Sequence, residues 1–182
     1  IIPVVPVLPV VPSNPTRSDY NEAARPVSER TLTIAGAGTL LPTIFGLDQT
    51  GAKITAIVDY GANLVLRCEW CTGGIDSVNA LYMDDAAAPA GVIATHYDGS
   101  QVTADPTLVA AFAAKGKTYT DTLNGVCYST LVVPPGLGNG FPRFGAEIKG
   151  KKIAQTSGGT PAYTQSGVWF IAWLITQLLQ ES

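Results

Sequence analysis

Three cysteines, one histidine and a run of glycines are the residues of this chain that invite a chemical reading. Cys68-Glu69-Trp70-Cys71 has the CxxC spacing of thiol redox and metal sites. A redox pair works best at the start of a helix, where the helix dipole lowers the thiol pKa. Here Thr72-Gly73-Gly74 follows, which spells a turn. A structural zinc ion takes four Cys or His ligands, and Cys127 with the single His96 completes that number on paper. The other reading, half-buried cysteines in strands and turns, needs no ion. An odd number of cysteines gives no disulfide framework. Whether Cys68, Cys71 and Cys127 pair or bind metal is undecided by sequence.

Pro134-Pro135-Gly136-Leu137-Gly138-Asn139-Gly140 places two prolines and three glycines in seven residues. A phosphate loop needs a Gly-Lys-Ser/Thr sequence at a strand-to-helix junction, so that amides and the helix dipole face the anion. Phe141-Pro142-Arg143-Phe144 follows instead and reads as extended chain. A long connection between two strands explains the composition, because glycine and proline serve turns and positive φ angles. Catalysis by a Ser-His-Asp or Cys-His set must use His96, which sits in the strand-like Ala94-Thr95-His96-Tyr97. Asp84-Asp85 are adjacent, so in extended chain their side chains point apart and mark a solvated loop. Glu147 and Asp59 are lone acids in strands. We assign no catalytic, cofactor-binding or metal residues and expect no cofactor.

The elements that would position these groups are short. The chain has 182 residues and 19.0 kDa, enough for one domain or two small ones. Hydrophobic residues are 46% and charged residues only 14%, well below the usual quarter. Either neighbouring subunits cover much of the surface, or this is a Thr/Ser/Gly-rich β protein. A net charge of −3 and a pI near 5.0 argue against a specific duplex binder, which shows a basic stripe. The apolar run from Gly167 to Leu179 is short of the ~20 residues of a membrane helix, so no membrane span is expected. The chain starts without methionine, as a piece of a longer protein would.

Residues 1–16 carry five prolines among valines and isoleucines. Proline favours polyproline II, so residues 1–29 read as an extended arm lying on this subunit or a neighbour. From Arg30 the periodicity is two. Strands are expected at Thr31–Ile34, Lys53–Tyr60, Asn63–Trp70, Ile75–Met83, Val92–Tyr97, Val126–Val133 and Phe144–Lys149, and Thr43–Leu47 is a short apolar stretch. Turns are expected at Asp48–Gly51, at Asp98-Gly99 as a hairpin dipeptide, and at Gly150-Lys151-Lys152. Asp105 and Pro106 are helix-start signals, giving a helix near residues 105–115. A second helix is expected over 167–181. The fold class is α+β, mainly β: an antiparallel sheet or small barrel with two packed helices and the arm.

The order of these pieces is similar to the central hub, or tip attachment protein, of long-tailed phages and gene-transfer particles. The similarity rests on several short stretches in order. They are Ile44-Phe45-Gly46, Leu64 to Val78, His96 to Gln101, Gly125 to Leu131 and Gly140 to Ile153, before the last helix. Trp70-Cys71-Thr72-Gly73 is longer than that family's compact glycine turn, and Thr164-Gln165-Ser166-Gly167 stands where it has Asn-Pro-Ala. The resemblance implies that residues 30–182 are a fragment of a β-rich tail-hub domain, a structural virion protein at the tail tip and not an enzyme. It implies a homotrimer that closes the tail tube and takes part in DNA passage. Its implied partners are the distal tail protein, the tape measure protein and fibre or receptor-binding proteins. Two alternatives stand beside it. A glycan- or receptor-binding tail adhesin would need Trp70, Tyr82 and Tyr97 in one exposed groove. A tail-associated cell-wall hydrolase would need His96, Glu147 or Asp59 with a partner.

Overall fold

The computed structural model describes residues 40–137, 142–155 and 159–180. The arm at 1–29, the strand expected at Thr31–Ile34, part of the glycine-rich stretch and Glu181 lie outside these residues. Strands β1 (Leu47–Gly51), β2 (Lys53–Tyr60), β3 (Asn63–Thr72), β4 (Ser77–Met83) and β5 (Ala86–Ala87) come first. Strand β6 (Ile93–Tyr97), helix α1 (Pro106–Ala113), strands β7 (Val126–Val133) and β8 (Phe144–Lys149), and helix α2 (Gly167–Gln180) follow. They form two four-stranded sheets, ordered β1-β8-β4-β5 and β2-β3-β7-β6, and every pairing is antiparallel. The architecture is therefore mainly β, two open sheets in place of a closed barrel.

Turn chemistry explains two of the hairpins. Tyr60 pairs with Asn63 across Gly61-Ala62, with Gly61 at φ 63°. Met83 pairs with Ala86 across Asp84-Asp85, both at positive φ (52° and 65°), the geometry that matches strand twist. Aspartate tolerates this region better than most residues. Asp84-Asp85, read from sequence as a solvated loop, is exposed and forms the tight turn of a hairpin.

Sheet two is covered on both faces. Leu66, Cys68, Trp70, Cys127 and Leu131 meet Phe144, Ala146 and Ile148 of β8 in the larger core. On the opposite face Val58 and Val65 pack with Leu108 and Ala111 of α1 and with Tyr119. Burying a side chain such as Leu66, Leu131 or Ile148 contributes about 1.5–3 kcal/mol relative to exposure, and all three are fully buried. Strand β3 is accordingly apolar over most of its length apart from Arg67 and Glu69, as expected of a strand buried on both faces.

Three local expectations are corrected. Asp48–Gly51, read as a turn, belongs to strand β1, because its backbone completes the edge of β8 from Leu47↔Lys149 to Gly51↔Gly145. Propensity yields there to available backbone partners. Only Ala52 separates β1 from β2, and the two lie in different sheets, so this is a corner and not a hairpin. Asp98-Gly99 is a turn, with Gly99 at φ 98°, but no strand folds back after it. Its carbonyls instead accept from Ile75 N (3.1 Å) and Gly125 N (2.8 Å). The third is Gly150-Lys151-Lys152. Gly150 N donates to Gly46 O at 2.7 Å and Lys151 N to Ile44 O at 2.8 Å, so this segment runs along residues 44–46 instead of reversing.

Candidate functional site

The glycine-rich stretch joins β7 of one sheet to β8 of the other. The described part has Gly136 at φ 84°, and strand β8 follows, not a helix. The amides therefore have no helix dipole behind them, and the connection reads as a crossover between sheets.

The cysteines lie in the core. Cys68, Cys71 and Cys127 are free and fully buried. Cys71 and Cys127 are cross-strand partners beside a bulge in β3. A hydrogen bond between their thiols holds Cys71 below the ordinary thiol value and pushes Cys127 far above it, where burial adds to the effect. Burial alone pushes Cys68 far up. Among the described residues no group of three or more His, Cys, Asp or Glu could hold a metal ion. His96 does not complete a ligand set with them; it turns to Ser129.

His96 Nδ1 lies 2.6 Å from Ser129 Oγ, and Trp70 Nε1 donates to the same oxygen at 2.7 Å. Burial lowers the His96 pKa. The pair has the elements of a serine-histidine couple, but Ser129 has no exposed surface. Its hydroxyl links β3, β6 and β7. Trp70 is 1% exposed and Tyr97 stacks on Tyr128 with centroids 4.5 Å apart. Tyr82 lies in the other sheet, so Trp70, Tyr82 and Tyr97 do not share one exposed groove. His96, Glu147 and Asp59 are likewise scattered: Asp59 and His96 are on opposite edge strands of one sheet, and Glu147 is in the other. Glu147 accepts from Asn79, and Asp59 lies 3.9 Å from Lys115. Asp84 and Asp85 converge on Arg143. Asp84 Oδ1 accepts from its backbone N at 2.8 Å, and Asp85 pairs with its guanidinium at 2.6 Å.

An open cleft of about 470 Å³ lies between the start of β4 and the end of β6. Its polar lining is engaged in contacts within the fold. Asp76 pairs with Lys152 at 3.6 Å. Asp98 accepts from the hydroxyl and backbone N of Ser100 at 2.6 and 2.9 Å, which lowers its pKa. Gln101 donates to the carbonyls of Leu123 and Val126.

The strongest polar cluster sits on the α1 side and was not singled out from sequence. Arg67 is nearly buried. It donates from Nε to Thr55 Oγ1 (2.7 Å) and from Nη1 to Tyr119 OH (2.8 Å). It pairs with Glu69 at 3.4 Å and Asp121 at 3.3 Å. The available signal was Arg67 and Glu69 at i and i+2 within an otherwise apolar strand, which puts both on one face. Beside this cluster, Asp105 is fully buried and caps α1, accepting from Thr107 N at 2.7 Å and Leu108 N at 3.4 Å. It also accepts from the hydroxyls of Thr130 and Tyr97. A buried carboxylate is tolerable only with such a set of donors.

No known family profile matches the chain, and no curated protein matches it. Among solved structures, its fold is similar to a chain in the virion of a native gene transfer agent particle, with TM-score 0.57 and 20% identity. The match covers 70% of this chain and 30% of that chain. The likeness is one of fold.

Proposed function

We propose that the chain is a structural component of a virion or a related DNA-transfer particle, with no catalytic role. The fold likeness to a gene transfer agent virion chain carries this reading. The order of short stretches from Ile44 to Ile153 supports the finer proposal: part of the hub at the tail tip. There it would close the tail tube, anchor host-recognition parts and take part in DNA passage. The proposed partners are further copies of itself as a homotrimer, the distal tail protein, the tape measure protein and fibre or receptor-binding proteins. The interior chemistry is in keeping with a scaffold. Arg67 and Glu69 of β3 and Asp105, the cap of α1, are paired inside the fold, and no helix of the described residues is long and apolar enough to cross a membrane.

The test is gold labelling of this chain in purified particles, viewed by negative stain. Label confined to the tail end supports the hub. Label elsewhere on the particle retains the virion reading and overturns the hub, and particles without label overturn both.

A further inference from the structure

Cys71 and Cys127 face each other across β3 and β7, each one residue inside the end of its strand. Residues opposed across antiparallel strands have Cα atoms about 4.5–5.5 Å apart. A disulfide takes Cα separations of about 4.4–6.8 Å, so the backbone already holds the pair within bridging range. Both side chains are fully buried in the core that includes Phe144, Ala146 and Ile148, and their thiols are hydrogen-bonded to each other. Cys68 lies opposite Ser129 instead. The strand ends at the pair are held by backbone hydrogen bonds of a few short segments. Thr72 N donates to Pro42 O at 2.8 Å, Gly73 N to Gly125 O at 2.7 Å and Gly125 N to Gly99 O at 2.8 Å. Thr72, Gly73, Gly125 and Val126 are only half-buried, and Gly74 and Asn124 are exposed. Fraying of this end by a residue or two uncovers Cys71 and Cys127, whereas Cys68 is reached only when β3 opens further.

We propose that Cys71 and Cys127 are an oxidation site, which a hydroperoxide converts to a cross-strand disulfide that locks the end of β3 to the start of β7, while Cys68 stays a thiol. The nucleophile is the thiolate, and the hydrogen bond from Cys127 favours that form at Cys71. The Cys71 sulfur attacks a peroxide oxygen, the O–O bond breaks, and hydroxide leaves. The product is a sulfenic acid, which condenses with a neighbouring thiol. The Cys127 sulfur displaces the sulfenic hydroxyl, the S–S bond forms, and the thiol proton leaves with the hydroxyl as water. In all, two thiols lose two electrons and two protons, and one hydrogen peroxide becomes two waters. The bond closes the long stretch of chain between the two residues and so restrains the unfolded state. A chain made in a reducing compartment and released to an oxidising one acquires such a bond only after it has folded. The inference needs only the two strands and stands apart from the virion reading.

The test treats the reduced, folded 182-residue chain with hydrogen peroxide and then blocks free thiols with iodoacetamide in denaturant. Trypsin and a glutamate-specific protease cut after Arg67 and Glu69, which places Cys68 and Cys71 on different peptides for mass spectrometry. We expect one free thiol of the three, at Cys68, and a reducible peptide pair joining Cys71 to Cys127. The oxidised chain should melt about 4–16 °C higher, and dithiothreitol should restore the lower melting point. Three free thiols overturn the inference, as does a link through Cys68 or between two chains. A sulfinic acid at Cys71 in place of the bond overturns it too, and so does a melting point that does not rise. A link that forms only in urea has the same consequence, because the folded strands would then not be what brings the thiols together. The map is made on the native chain, so its outcome does not depend on the folding of any variant.

Discussion

Replacing Asp105 with alanine removes more than a helix cap. The carboxylate has no exposed surface and accepts from two amides of α1 and from the Thr130 hydroxyl. Loss of the cap costs about 1 kcal/mol, within a range of about 0.5–2. Thr130 is 1% exposed, so its hydroxyl is left buried without its acceptor at about 1–3 kcal/mol. Tyr97 is only half-buried and adds little. The sum is about 2–4 kcal/mol, seen as a melting point roughly 4–16 °C lower at about 2–4 °C per kcal/mol. Asp105→Asn keeps the oxygen that faces Thr107, and the Thr130 hydroxyl can rotate to accept from the new amide, so it should cost about 1 kcal/mol or less. The assay is urea unfolding followed by tryptophan fluorescence for both variants, with Thr130→Val added to each. In the double variant the alanine penalty should shrink, since no hydroxyl is left unpaired. An alanine variant within 0.5 kcal/mol of native, or an asparagine variant as damaged as alanine, would refute this account of the α1 junction (the threshold is about the limit for independent effects).

Two further predictions rest on other parts of the fold. A Cβ on Gly150 would overlap the backbone carbonyl of Ile44, whereas one on Gly51 meets nothing within 4 Å. Gly150→Ala should therefore destabilise by about 1–3 kcal/mol or more and Gly51→Ala by far less, which thermal melts of the two variants compare directly. Burial, then the charge and hydrogen bond of Asp105, push Tyr97 up to about 12 from 10.0. Between those values the unfolded chain gives up a proton that the folded one keeps, so stability is full below pH 10 and falls as pH rises towards 12. Tyr97→Phe should flatten part of that fall in unfolding free energy measured across the interval; an unchanged slope would remove Tyr97 from the alkaline transition.

Several elements were legible in the residues. The N-cap and proline of α1, the apolar run of β3 and the strands Val126–Val133 and Phe144–Lys149 each follow from local pattern, because side-chain period and cap chemistry act within a few residues. The candidate chemistry was partly legible too. The turn after Cys71 and the lack of a helix after the glycines were already visible. What only the tertiary structure decided depends on partners distant in sequence. Asp48–Gly51 became a strand because β8 offered unpaired backbone, and Gly150 had to be glycine because Ile44 packs on it. Arg67 found Tyr119 and Asp121 more than 50 residues away. The sequence alone determined that the last helix is apolar throughout. Which of its faces remained open was settled by Phe45, which packs on Phe170 and Trp173, because one long-range contact fixes the rotation of a helix whose own pattern leaves it free.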